Sequence, residues 1–193
     1  MKLRALSLML PLLLAGCAKS AWNPPVQTLL ANPLYAERYA ADMVNRLTDM
    51  EIRQDPLLQD AGKKGLIERT KAEWLLRVKS ARDAQKKGFV GEFVTGSEEV
   101  LGRALSLNDT LYFSEEFLTY PGPDLRVFLT HALDPRDAPF PDATSIDLGP
   151  IESPYGAKTL IVPHQEDPAY LRTVVLWDVR LQRLYGFAQL HKE

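Results

Sequence analysis

Length, composition and charge restrict the protein to the ordinary globular classes. The chain has 193 residues, of which 46% are hydrophobic and 25% charged, and its formal net charge is −2. This composition argues against collagen-like, disordered and polytopic membrane proteins and allows a sizeable buried core. An acidic balance without basic–aromatic clusters also argues against nucleic-acid binding.

The first 16 residues have the organisation of an export signal peptide. Lys2 and Arg4 precede an apolar run, residues 5–15, that is too short to span a bilayer. The run ends in Leu14-Ala15-Gly16-Cys17, which resembles the lipobox of bacterial lipoproteins, and Cys17 is the only cysteine of the chain. The alternative is an ordinary cleaved signal followed by an incidental cysteine.

The lipobox resemblance implies that residues 1–16 are removed and that Cys17 carries fatty acyl chains such as palmitate. Two or more such chains make a stable membrane anchor. Ala18 follows the cysteine, and a residue other than Asp there implies sorting to the outer membrane, facing the periplasm of a bacterial cell envelope. With Cys17 acylated, the mature protein has no free thiol for disulfide or redox chemistry.

Residues 17–31 are predicted to form the lipidated cysteine and a tether, and residues 32–87 an arm of two helices. Asn32 and Pro33 suit a helix start, as N-cap and first helical residue. Apolar side chains then recur every three or four residues until the helix is expected to end near Asp55.

A second helix is expected from Gly62 or Lys63 to Lys87, so that the arm is a helical hairpin packed on the rest of the chain. Charge differs between the two parts. Residues 18–88 hold 13 basic and 9 acidic side chains, whereas residues 89–193 hold 8 and 16. This difference favours attraction between the arm and the body, or between the arm and anionic lipid headgroups.

Residues 88–193 are predicted to form a β domain. Short β-rich runs alternate with turns and no helix intervenes, which indicates an antiparallel β-sandwich or barrel over about residues 88–191 and an α+β fold overall. The predicted strands are 89–95, 100–107, 110–113, 125–131, 145–148, 158–162, 173–179 and 184–190. The last two are apolar at odd and even positions alike, so this hairpin should lie at the centre of the sheet, covered on both faces.

The order of several short motifs in this stretch resembles the DM-thirteen (DM13) domain family. The motifs are Leu111-Tyr112-Phe113, Pro121-Gly122-Pro123-Asp124-Leu125, Asp147-Leu148-Gly149, Ile161-Val162-Pro163, Val174–Trp177 and Tyr185-Gly186-Phe187-Ala188. The resemblance implies a β-rich module of bacterial surface proteins, also found beside DOMON domains in animal proteins, for which electron transfer has been suggested.

The suggested electron transfer depends on a cysteine directly after the strand tryptophan. Here Trp177 is followed by Asp178, and a carboxylate forms no disulfide, thiyl radical or soft-metal bond. Asp178 is either a buried acid with a functional role, with Trp177 lining a ligand pocket beside it, or a strand-end aspartate that is solvated or bonded to a turn.

No catalytic residue, metal ligand or cofactor is predicted. The chain has no Gly-x-Ser-x-Gly, P-loop or dinucleotide motif, and its acid pairs are adjacent residues, whose side chains point apart. His131, His164 and His191 lack metal-ligand spacing. The acidic loop containing Asp134, Asp137, Asp142 and Asp147 could bind calcium, although its three prolines favour a solvated loop.

Three hypotheses for function remain. The leading one is a non-catalytic, lipid-anchored envelope protein whose β domain binds an envelope protein or a small ligand. The second is an electron-transfer protein of the DM13 type, with a non-covalent haem, flavin or metal near Trp177 and Asp178. The third is a structural subunit of an envelope complex.

Overall fold

The computed structural model describes residues 25–137, 139–166 and 171–192, in which a helical arm precedes an antiparallel β domain. The predicted signal peptide and Cys17 lie outside the described residues. The arm consists of the short helix α1 (Val26–Leu29), the helix α2 (Pro33–Ile52), a 3-10 turn (Pro56–Gln59) and the helix α3 (Ala61–Gln85).

Each long helix begins at a side-chain cap. The Asn32 side chain accepts hydrogen bonds from the backbone N–H groups of Leu34 (3.0 Å) and Tyr35 (3.4 Å). Asp60 caps α3 in the same way, accepting from Gly62 and Lys63. These bonds satisfy donors that have no partner within the helix. The predicted start of the first helix at Asn32 and Pro33 is confirmed.

The two long helices pack against each other as an antiparallel hairpin. At the tip of the arm, Lys71 of α3 forms an ion pair with Glu51 of α2. At the base, Gln85 Nε2 donates to the Pro33 carbonyl oxygen at 3.2 Å, so the end of α3 lies beside the start of α2. Among the residues that the structure describes, no helix combines the length and apolarity needed to cross a membrane.

Within the described residues the β domain contains ten strands, and eight of them form one antiparallel sheet. The strands are β1 (Phe89–Thr95), β2 (Val100–Leu101), β3 (Arg103–Leu107), β4 (Thr110–Phe113), β5 (Leu118–Thr119), β6 (Leu125–Thr130), β7 (Ile146–Pro150), β8 (Lys158–Ile161), β9 (Thr173–Asp178) and β10 (Arg183–Gln189). The strand order is β7-β6-β9-β10-β1-β3-β4-β8, and β2 pairs with β5 separately. Leu148 and Leu160, on the two edge strands, pack against the same core, so the sheet curls into a nearly closed barrel.

The β9–β10 hairpin occupies the middle of this sheet, as its two-sided apolar pattern predicts. Val174 and Leu176 of β9 face the barrel core. Val175 faces outward and packs with Phe128 and Phe187, and this outer cluster is covered by Phe140 and other partly buried side chains. Both faces of the hairpin are therefore buried, and the predicted α+β fold with a helical arm is confirmed.

The prediction of one continuous strand over residues 100–107 is wrong, because the structure divides this segment at Gly102. Gly102 has φ +105°, a conformation that favours glycine, and a Cβ atom there would lie 2.8 Å from Phe117 Cα. The chain bends at this point, so β2 leaves the main sheet to pair with β5 while β3 stays between β1 and β4.

Candidate functional site

Asp178 lies inside one end of the barrel. It is the last residue of β9 and shares the inward face of that strand with Val174 and Leu176, since side chains alternate along a strand. Its side chain has no exposed surface. A buried carboxylate is strongly unfavourable unless hydrogen bonds stabilise it.

Two backbone N–H groups supply those hydrogen bonds. Asp178 Oδ2 accepts from Asp124 N at 3.1 Å, and Oδ1 accepts from Leu181 N at 2.8 Å. The Val179 N–H also donates to the Asp124 carbonyl oxygen at 3.0 Å. The carboxylate therefore connects three segments: the end of β9, the turn into β10 and the loop before β6.

Gly122 and Tyr185 complete the surroundings of the buried carboxylate. A Cβ atom at Gly122 would lie 2.3 Å from Asp178 Oδ2 and 2.7 Å from Tyr185 Oη, so this position has no room for a side chain. Tyr185 is 3% exposed. Burial raises the pKa of its phenol, and the negative charges of Asp178 and Glu98 raise that pKa further.

Trp177 points to the opposite side of the sheet. Its ring contacts that of Phe140 at a centroid distance of 5.3 Å, and Phe140 in turn contacts Phe128 at 5.6 Å. The half-buried Trp177 lines a surface groove of about 520 Å³ with Pro135, Pro139, Phe140, Pro141, Val179 and Gln182. The structure thus places the two side chains singled out in the sequence on different faces: Trp177 in an open groove, and Asp178 in the barrel.

The histidines are not brought together. His164 Nδ1 lies 3.2 Å from Asp109 Oδ1 on the surface. His191 forms an isolated bridge with Val90 through its backbone, and the backbone N–H of His131 donates to Thr144 Oγ1 at 3.2 Å. No group of three or more His, Cys, Asp or Glu side chains able to hold a metal ion occurs in the part of the chain that the structure describes.

The carboxylates of the acidic loop form local hydrogen bonds and ion pairs and do not converge on a common site. Asp134 pairs with Arg136, and Asp147 pairs with Arg126 of β6 at 2.9 Å. Asp142 accepts from the Thr144 N–H at 2.7 Å. The Arg136 guanidinium holds the pKa of Asp134 below its usual range. Each of these carboxylates has its own partner.

A groove between the arm and the barrel was not anticipated from the sequence. It has a volume of about 460 Å³, and its lining includes Leu34, Glu37 and Arg38 from α2 and Phe93, Arg103 and Ser114 from the barrel. Arg38 also lies 2.8 Å from Glu116 and 3.5 Å from Glu115. Burial, followed by the charge of Glu116, raises the pKa of Glu115. The charge difference between arm and body is the sequence signal that points to this contact.

The β domain is thus a small, nearly closed antiparallel barrel with a buried aspartate at one end. The chain belongs to the DM13 family: the family model described as "Electron transfer DM13" matches residues 92–190, just over half of the chain. The resemblance drawn from the motifs is confirmed, and the β domain is by family an electron-transfer-related module. The arm helices lie outside the match. Neither curated proteins nor solved structures give a match.

Proposed function

We propose that the protein is a lipid-anchored lipoprotein of the bacterial envelope whose DM13 domain acts as a non-catalytic binding module. The proposed anchor is Cys17, which follows an apolar leader at the lipobox spacing. Acylation there would hold the barrel and its arm at the outer membrane, facing the periplasm.

The observation that carries the binding-module proposal is the hydrogen bonding of Asp178. At the position where the family's suggested chemistry needs a thiol, this chain has a carboxylate whose two oxygens accept from Asp124 and Leu181. Both acceptors are engaged by backbone groups that fix loops in place. This arrangement supports a structural role for Asp178, so a binding site is better sought on the surface of the domain.

The groove beside Trp177 is the surface that we propose for binding. The rings of Trp177 and Phe140 and three prolines give it apolar walls, and exposed Gln182 adds an amide at its rim. Aromatic and proline surfaces of this kind suit a ligand or partner segment with a flat apolar face, held in orientation by few hydrogen bonds.

Site-specific photocrosslinking in cells tests this proposal. A benzophenone amino acid replaces Gln182 at the groove or, as the control, Tyr120, which is 53% exposed and does not line the groove. A crosslinked adduct that forms only from position 182, and disappears when Trp177→Ala is added, supports binding in the groove. Equal crosslinking from both positions would contradict it.

The anchor is tested separately by mass spectrometry of the protein extracted from membranes. The expected N-terminal peptide begins at Cys17 and carries diacylglyceryl and acyl masses. A bare Cys17 in membrane-extracted protein, or an uncleaved leader, would contradict the anchor without affecting the groove.

The family match favours electron transfer as the second candidate function. This function requires a redox group that accepts and returns electrons at a defined potential. Protein purified from its native membrane under mild conditions should then show a visible absorption band that changes reversibly when a reductant and an oxidant are added in turn. A flat visible spectrum together with no stoichiometric metal would leave the binding-module proposal favoured.

A further inference from the structure

One face of α3 carries a row of cations that begins at an exposed leucine. Leu75, Lys79, Arg82 and Lys86 follow one another at intervals of four, three and four residues, which aligns them on one side of the helix. All four are exposed. The row runs beside the buried stripe of α3, which contains Val78 and packs against α2.

Two further lysines extend this row at the base of the arm. Lys87 is exposed and follows Lys86, and Lys192 Nζ donates to the Lys87 carbonyl oxygen at 2.6 Å. We call Lys79, Arg82, Lys86, Lys87 and Lys192 the basic face.

Acidic groups neutralise only a small part of the basic face. Arg82 pairs with Glu37 at 2.7 Å, and Asp83 is a neighbour on the helix. The four lysines have no acidic partner within 4.0 Å among the described residues. Along the whole of residues 61–87, nine side chains are basic and three are acidic. Cations near the C-terminal end of a helix interact favourably with the helix dipole. This effect is confined to the last turn, so it does not account for Lys79 or for the exposed leucines.

The basic face lies at the end of the arm from which the tether leaves. Gln85, next to Lys86, donates to the Pro33 carbonyl oxygen at 3.2 Å, and Pro33 follows Cys17 by 16 residues. The chain therefore leads toward the proposed anchor from the same place where the cations accumulate.

We infer that the basic face binds the anionic headgroups of a phospholipid membrane. Leu75 (51% exposed) and Leu76 (69% exposed) are positioned to enter the boundary between headgroups and acyl chains. Basic side chains beside exposed apolar ones are the combination by which helices lie on anionic membranes. This contact would orient the barrel relative to the membrane only if the proposed lipid anchor is present. The binding of headgroups itself does not depend on the anchor.

Vesicle binding of the protein produced from Ala18 tests the inference. This form retains every described residue but has neither the leader nor an acylated cysteine to bind a bilayer. It should cosediment with vesicles of phosphatidylethanolamine and phosphatidylglycerol and not with vesicles of phosphatidylcholine. Added salt should release it, because salt screens contacts between exposed charges.

A charge-reversal variant identifies the surface responsible. The triple variant Lys79→Glu, Lys86→Glu, Lys87→Glu should weaken the partition coefficient for anionic vesicles by about a hundredfold, since each of the three basic residues contributes about a fivefold factor. The matched control is Lys63→Glu, Lys64→Glu, Arg69→Glu, which makes the same charge change on exposed positions of the same helix. Lys63 lies about 24 Å along the helix from Lys79, beyond the Debye length.

Two results would overturn the inference. One is a wild-type protein that binds anionic and neutral vesicles alike, which requires no variant and so does not depend on the folding of a mutant. The other is an equal loss of binding in both triple variants, which would mean that net charge alone governs the partition. Neither result bears on the acylation of Cys17, which mass spectrometry decides.

Discussion

The Asp178 carboxylate accepts a hydrogen bond at 3.1 Å from the backbone N–H of Asp124, which lies 54 residues earlier in the chain. This bond joins the end of the central hairpin to the loop that enters β6. Asp178→Ala should lower the free energy of unfolding by about 3 kcal/mol, because it leaves the N–H groups of Asp124 and Leu181 without an acceptor. Urea unfolding followed by circular dichroism measures this change.

Asp137→Ala provides the control for Asp178→Ala. Asp137 is exposed, so its loss should change the free energy of unfolding by no more than about 0.5 kcal/mol. Equal stabilities of the two variants would show that Asp178 fixes no loop.

Asp178→Cys places a thiol directly after the strand tryptophan, where the resemblance to DM13 domains implies a cysteine. The new thiol would be buried where Asp178 has no exposed surface, and thiolate formation and reagent access both need exposure. In the chain produced from Ala18, which has no other cysteine, the thiol should react with a disulfide reagent only after unfolding. Asp137→Cys, at an exposed position, should react at once. Rapid labelling of folded Asp178→Cys would contradict the buried position.

Gly122→Ala should destabilise the protein by about 1–3 kcal/mol, the usual cost of forcing an atom into a filled space. The added methyl group would lie 2.3 Å from Asp178 Oδ2. The cost should be smaller in the Asp178→Ala background, because the carboxylate is then absent, and a double-mutant cycle measures this coupling.

Gly65→Ala is the matched glycine control. Gly65 lies within α3, and a Cβ atom there meets nothing closer than Arg69 Nη1 at 3.4 Å. Alanine is favoured over glycine inside a helix, so this change should stabilise the protein by up to about 1 kcal/mol. Additive effects of Gly122→Ala and Asp178→Ala would contradict the packing of the loop on the carboxylate.

Local chemistry in the sequence was sufficient for much of the fold. Asn32 and Pro33 carry a complete helix-start signal, and the helix begins there. The run Thr110–Phe113 follows the turn residues Asn108 and Asp109, and its boundaries match those of β4. The central hairpin follows from its two-sided apolar pattern. These features depend on neighbours in the chain, so the sequence displays them.

The features that could not be predicted depend on contacts between distant residues. The break at Gly102 is set by Phe117, which lies 15 residues later and packs against the glycine. The separation of Trp177 from Asp178 could have been anticipated, because adjacent strand residues face opposite sides. The face of the sheet that carries the groove could not have been anticipated, since the loop that brings Phe140 to Trp177 has no regular pattern.

Asn32 should contribute to stability in two ways. Besides capping α2, its Nδ2 donates to the Phe113 carbonyl oxygen at 2.7 Å and to that of Lys158 at 3.3 Å, which joins the arm to β4 and β8. Asn32→Ala should therefore cost about 2–3 kcal/mol, from the cap and the buried hydrogen bonds together. Asn32→Ser, which retains a capping oxygen, should cost about 1 kcal/mol less.

The control for Asn32→Ala is Asp60→Ala, at the cap of α3. Asp60 is exposed, and its side chain accepts from the N–H groups of Gly62 and Lys63 at the start of its own helix. Its removal should cost about 1 kcal/mol. Equal losses at the two caps in equilibrium unfolding would mean that the contacts of Asn32 with the barrel add nothing.

Tyr185 should make the protein sensitive to alkali. Burial raises the pKa of its phenol, as do the charges of Asp178 and Glu98, while Arg183 acts in the opposite direction. In the unfolded chain the phenol ionises near its ordinary value of 10.0. Above that pH the unfolded state loses a proton that the folded state retains, so the free energy of unfolding falls as the pH rises toward the folded-state pKa.

Tyr185→Phe should remove this part of the alkaline loss, although other groups that titrate there will still contribute. Urea unfolding of wild type and variant at a pH below 10.0 and at one above it measures the difference. Tyr120→Phe, at a tyrosine that is 53% exposed, is the matched control. If the Tyr185→Phe and Tyr120→Phe proteins lose stability in parallel as the pH rises, the phenol of Tyr185 is not held in its protonated form by its burial and by the carboxylate beside it.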